Sequence, residues 1–206
     1  MQGFRAVSLF AALAVLCLGN PSPGRAQLPL PVSLSIEARP AFGVPTGGFS
    51  SASGLGATNG PGGSVGASVG LGPIAAYAEY TAVRFGCSQC SEAGLDDRAL
   101  DTGWEVGAKL RLTPLPFLPV QPWVRGGVIG HQLQLSGDEG HVESKMGSGY
   151  SIGVGVDLPL LSYASVHLAP EVDYRSYSAE YDFQQFGSTS TDVRYLAVGL
   201  GLVYRF

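Results

Sequence analysis

Tyr195-Leu196-Ala197-Val198-Gly199-Leu200-Gly201-Leu202-Val203-Tyr204-Arg205-Phe206 alternates without a break. Leu196, Val198, Leu200, Leu202, Tyr204 and Phe206 fall on one face; Tyr195, Ala197, Gly199, Gly201, Val203 and Arg205 fall on the other. Successive side chains of a strand point to opposite faces, so this period of two predicts an extended strand. One face is wholly apolar. The other is mostly small and carries a charge.

The same alternation recurs upstream. Val154, Val156 and Leu158 oppose Gly153, Gly155 and Asp157. Trp104, Val106, Ala108, Leu110 and Leu112 oppose Glu105, Gly107, Lys109 and Arg111, and Leu34, Ile36, Ala38 and Phe42 oppose Ser35, Glu37, Arg39 and Gly43. Strands are predicted at 33–45, 64–72, 75–86, 101–113, 120–135, 147–158, 165–183 and 192–206. Eight is an even number, as single-chain bacterial barrels require.

Alternation alone leaves two readings, a soluble sandwich with an apolar core or a membrane barrel with apolar residues facing lipid. Three observations favour the barrel. Long connections near 46–63, 87–100, 136–146 and 184–191 alternate with short ones at Gly72-Pro73-Ile74, Pro114 to Pro119 and Pro159 to Ala164. With the N-terminus in the periplasm, every long loop lies outside and every short turn inside. Phe42, Tyr80, Trp104 and Tyr150 fall near the outer strand ends, and Tyr204 and Phe206 near the periplasmic end, where amphipathic rings favour the headgroup region. Charged residues make up only 14% of the chain, and Lys109 and Lys145 are its two lysines. A soluble domain normally carries more charge.

Residues 1–26 read as a secretory signal: Arg5, an apolar run from Ala6 to Leu18, then Gly24-Arg25-Ala26 before the cleavage point. That run is too short to span a membrane as a helix. The barrel domain is then 27–206. The formal charge of −4 becomes −6 once Arg5 and Arg25 leave. Such a balance argues against nucleic acid as a partner. Cys17 leaves as well, and Cys87 and Cys90 meet an oxidising compartment, which predicts a disulfide that stiffens the second outer loop.

The segment Gly201-Leu202-Val203-Tyr204-Arg205-Phe206 resembles the C-terminal signal of outer-membrane barrels, with Gly201, Tyr204 and Phe206 at the matching positions. Together with the leader, the strand count and the loop rhythm, it makes the mature chain resemble the small OmpA/OmpX-like barrel family. The resemblance implies an all-β, eight-stranded antiparallel transmembrane β-barrel in the outer membrane. It also implies long outer loops, short periplasmic turns and recognition by the barrel-assembly machinery. The partners expected are outer-membrane lipid and lipopolysaccharide.

In that arrangement Glu37, Glu79, Glu105, Asp157, Glu171 and Asp173 point inward, as do Arg39, Lys109, Arg111, Arg125, Arg175 and Arg205. A cation costs about 2–4 kcal/mol at the lipid face of a barrel midplane. Small barrels have interiors filled by side chains. The expectation is an enclosed ion-pair network, no open pore and no catalysis. Inward Gly66, Gly70, Gly153, Gly155, Gly199 and Gly201 make room in a narrow lumen, and none belongs to a phosphate loop.

Other chemistry has weaker support. Asp138, Glu139, His141 and Glu143 in the third outer loop, and Glu92, Asp96 and Asp97 in the second, are oxygen-rich, but solvated loops explain them without a metal. His131, His141 and His167 stand in no local Ser/His/acid pattern, and His167 reads as a lumen residue. No cofactor is expected. Loop one, Gly47 to Gly63, reads as flexible from its Gly, Ser and Ala content. The functional expectation is a structural or surface-interaction barrel. The alternatives are a narrow porin-like channel for small solutes, a lipid-modifying enzyme and a soluble periplasmic β-protein.

Overall fold

The computed structural model describes residues 32–51, 55–88, 95–113, 120–137, 140–160, 165–183 and 187–206. The strands are β1 (Val32–Pro45), β2 (Ala57–Thr58), β3 (Gly60–Leu71), β4 (Ile74–Cys87) and β5 (Leu95–Arg111). They continue with β6 (Gln121–Gly137), β7 (Gly140–Glu143), β8 (Gly147–Pro159), β9 (Val166–Phe183) and β10 (Gly187–Arg205). Eight long strands, all but β2 and β7, form a closed antiparallel ring. Each pairs with the next, and β10 pairs with β1. The short β2 lies on the end of β4, and β7 on the end of β6.

Closure removes the sheet edges that an open sheet would leave unpaired. The β1–β10 seam aligns Ser35 with Arg205 and Pro45 with Tyr195. Its register skips Arg39 and Pro40, because proline brings no N–H to the ladder. Pro170 opens a similar gap between β8 and β9. At the inner end, β3 turns into β4 through Gly72-Pro73, with Gly72 at φ 61°. Glycine before proline in a two-residue hairpin fits a type II′ turn, whose first central residue needs positive φ.

Burial settles which face is which. Leu202 is 50% exposed and Ile152 58%, whereas Arg39 is 3% exposed and Glu79 5%. The apolar row is outside and the charged row inside, the reverse of a water-soluble sandwich. Phe42, Tyr80, Trp104, Tyr150, Tyr204 and Phe206 all project outward and are exposed.

The strands run further into the outer connections than the sequence pattern predicts. β5 begins at Leu95, β10 begins at Gly187, and β6 reaches Gly137 before pairing with β7. The inward alternation continues there with apolar residues: Val83, Phe85, Ala99, Leu133 and Val193 are all buried. A buried apolar row stabilises the paired strands above the charged layer. Loop one is also more ordered at its start than its composition suggests. Gly47–Phe49 forms a 3₁₀ turn that drives Phe49 into this apolar layer. The Phe49 ring meets Phe85 edge-on at 5.2 Å, and Phe85 meets Tyr195 at 5.1 Å.

Candidate functional site

The barrel interior holds the chemistry. Its centre is Glu79, supplied by β4. The Glu79 carboxylate accepts hydrogen bonds from three arginines on three other strands. Arg39 Nη1 lies 2.6 Å from Oε2, Arg125 Nη1 2.8 Å from Oε2 and Arg175 Nη2 2.6 Å from Oε1.

Each arginine then reaches a second acid. Arg39 contacts Glu37 at 2.7 Å and Glu171 at 3.1 Å. Arg125 grips Asp173 with two bonds, Nε to Oδ1 at 2.7 Å and Nη2 to Oδ2 at 2.6 Å. Arg175 donates to Glu105 Oε2 from Nε at 3.2 Å and from Nη2 at 3.1 Å. The other Glu105 oxygen accepts from the Ser151 hydroxyl at 2.6 Å and from the Tyr77 hydroxyl. Paired and hydrogen-bonded charge is the condition under which buried ions are tolerated.

Towards the inner end, Lys109 Nζ sits 3.4 Å from Glu37 and 4.3 Å from the centre of the Trp123 ring. The Trp123 indole donates to Asp157 at 3.0 Å, and Arg205 pairs with the other Asp157 oxygen. Arg111 is half-exposed to the inner mouth and donates to Ser33 Oγ at 3.3 Å, outside the ion-paired group. The twelve inward charges named from the sequence thus lie along one interior, with Arg111 at its rim. His167 is partly buried near that rim.

Glycine shapes the packing at two places. A Cβ on Gly153 would lie 1.8 Å from Asp173 Oδ1, and one on Gly155 would lie 2.4 Å from the Trp123 ring. Both salt-bridge partner and indole occupy the room that glycine leaves.

A second polar group lies above the charged layer, and the sequence reading does not single it out. Asp101 is fully buried. It accepts from Tyr177 and Tyr195 hydroxyls, each at 2.7 Å, and from His131 Nδ1 at 2.9 Å. A carboxylate that only accepts places the imidazole proton on Nδ1. The signal is there in the strand parity: Asp101 matches Glu105 on β5, and His131 matches Arg125 on β6.

The remaining expected sites fall elsewhere. Cys87 ends β4 and is buried, while Cys90 lies outside the described residues. Asp138, Glu139 and Glu92 lie outside them too. Glu143 is on β7, where it accepts from Gln134 at 2.9 Å and Gln132 at 3.3 Å. Tyr204 and Phe206 stack edge-on at 4.8 Å on the outer face at the end of β10.

No sequence family and no curated protein matches the chain. Solved structures do. A major outer membrane protein from Thermus thermophilus superposes with a TM-score of 0.59 at 16% identity, over 85% of this chain and 99% of that one. Neisserial surface protein A superposes with a TM-score of 0.58 at 15% identity, over 85% of this chain and 97% of that one. Outer membrane protein AlkL gives 0.54 at 15% identity, over 92% and 97%. At these identities the likeness speaks to fold. The closed eight-stranded ring with its apolar face outward shares the fold of these small outer-membrane β-barrels.

Proposed function

We propose that this barrel spans an outer membrane as a structural or surface-interaction protein, without catalytic activity and with its interior closed to solutes. The observation that carries the reading is the Glu79 hub. Arginines from β1, β6 and β9 converge on one carboxylate of β4, so side chains from around the ring meet across the interior. The apolar layer around Phe49 and Phe85 lies beyond it, towards the outer end. A solute would have to break both layers, and buried ion pairs cost about 3–5 kcal/mol each to break.

Residues 1–26 would be removed on export, and Cys87 and Cys90 would pair in the periplasm. The terminal Gly201, Tyr204 and Phe206 would serve recognition by the assembly machinery. The outer strand ends would then present the chain to lipopolysaccharide and to the exterior.

Planar-bilayer recording on the refolded mature protein tests closure. The expected trace is flat. Steady unitary steps would replace this reading with that of a narrow channel. Incubation with phospholipid or lipid A should leave the lipid mass unchanged; a hydrolysed or acylated product would make the protein an enzyme. Cell fractionation with gel mobility before and after boiling tests the location, because a soluble periplasmic protein would neither pellet with outer membranes nor shift on heating.

A further inference from the structure

The inner mouth of the barrel carries more positive charge than it pairs. Arg111 on β5 and Arg205 on β10 both point inward there, with His167 on β9. Ser33, Gly70 and Ala75 sit side by side on β1, β3 and β4. Gly70 and Ala75 are small, so Arg111 lies across them and donates from Nη1 to Ser33 Oγ at 3.3 Å. A Cβ on Gly70 would lie 3.2 Å from that Nη1 and 2.6 Å from Oγ. On the opposite arc, His167 pairs with Val203 of β10 and Pro159 of β8. Arg205 and Asp157, each two residues along on the same face, flank it. Arg111, Arg205 and His167 lie within electrostatic reach of one another.

The acids nearby are already engaged. Asp157 accepts from Trp123 and pairs with Arg205. Glu37, further inside, is held by Arg39 and Lys109. Among the described residues, Arg111 has Ser33 as its hydrogen-bond partner and no acid within ion-pair distance. Arg111 Nε, Arg205 Nε and His167 Nδ1 are enclosed, and none meets a hydrogen-bond partner among the described residues. With Nη1 on Ser33, Arg111 keeps its Nε–Nη2 edge, two parallel N–H donors that match two oxygens of an anion. Donors from three strands suit a tetrahedral oxyanion better than a carboxylate, which offers two oxygens. The site is inside the ring, whereas Leu110 and Tyr204, next along the chain, face outward and are exposed. Acyl chains lie against that outer face, so the ligand enters along the barrel axis from the periplasm.

We propose that Arg111, Arg205 and His167 form a site for a tetrahedral oxyanion, free phosphate from the periplasm, inside the inner mouth of the barrel. The anion neutralises the cation that the mouth leaves unpaired. The ionic layer around Glu79 lies beyond it, so binding is expected whether or not the barrel conducts.

The test is side-chain NMR of the mature chain in nonionic detergent, with isotope-labelled arginine and histidine. Inorganic phosphate is titrated in at fixed pH and constant ionic strength. The comparisons are R111Q, H167Q and R84Q, a charge control whose arginine is exposed on the outer wall. Heat-dependent gel mobility verifies that each variant folds. In wild type and R84Q the Arg205 Nε and His167 ring signals should move along a saturable curve. R111Q should bind about tenfold more weakly and H167Q about threefold. Phosphatidylglycerol added to the micelle should neither move these signals nor compete with phosphate. A linear drift without saturation would overturn the site. So would equal affinity in wild type and either variant, and one folded variant suffices for that comparison. Competition by phosphatidylglycerol would assign the donors to a lipid headgroup and overturn the free anion.

Discussion

Replacing Glu79 by Gln should be the most damaging near-isosteric change in the barrel. The amide keeps the shape and one acceptor, but it removes the charge shared by Arg39, Arg125 and Arg175, whose nearest nitrogens lie 2.6–2.8 Å away. It also turns an NH₂ group towards guanidinium donors. Arg39, Arg125 and Arg175 retain Glu37, Asp173 and Glu105, so the loss is less than that of three isolated charges. Removing one partner from a buried pair costs about 3–5 kcal/mol. With a urea slope of about 2 kcal/mol per molar, the unfolding midpoint in lipid vesicles falls by about 2 M. Tryptophan fluorescence reports the transition, because Trp123 is buried inside and Trp104 is exposed outside. Adding R175M should recover part of the loss, since it removes one stranded cation. A midpoint for E79Q within about 0.3 M of wild type would refute the hub as the interior's organising contact.

F49A empties a fully buried site against Phe85 and should cost about 3 kcal/mol, with faster amide exchange over the Gly47–Phe49 turn than elsewhere. G153A forces a Cβ to 1.8 Å from Asp173 Oδ1 and should cost about 1–3 kcal/mol. G126A, whose Cβ would meet only Ser151 O at 3.6 Å, should stay within about 0.5 kcal/mol of wild type; equal midpoints for the two alanine variants would argue against the packed interior. Thiol titration of the exported protein, denatured without reductant, should find no free thiol, and both Cys87 and Cys90 after reduction. Two thiols before reduction would mean that they do not pair.

Much of the wall is legible because alternation is a strong signal once one face must be apolar. β10 needs no context: its apolar row from Leu196 to Phe206 is continuous. Arg39, Glu79 and Arg125 follow from parity alone. The outer end is harder. There both faces mix apolar and polar residues, so Leu95 to Leu100 reads as loop although β5 includes it. Asp101 stays hidden because its tyrosine partners come from β9 and β10, far away in sequence, and His131 because its acid, Asp101, lies 30 residues away across the β5–β6 pair. Phe49 is masked by its Gly, Ser and Ala neighbours. Composition describes a segment's average freedom, whereas one ring in a pocket fixes its backbone.

The Glu79 hub also constrains the order in which the chain assembles. Its arginines lie 40, 46 and 96 residues away, so no hairpin or half-ring can complete it. Contacts of such separation form late, after the loops between them have been closed. Until β9 arrives, the inner charges of β1 and β4 need water. A partly formed sheet therefore has to keep one wet side throughout insertion, and its last wetted surface vanishes only when the first and final strands zip together.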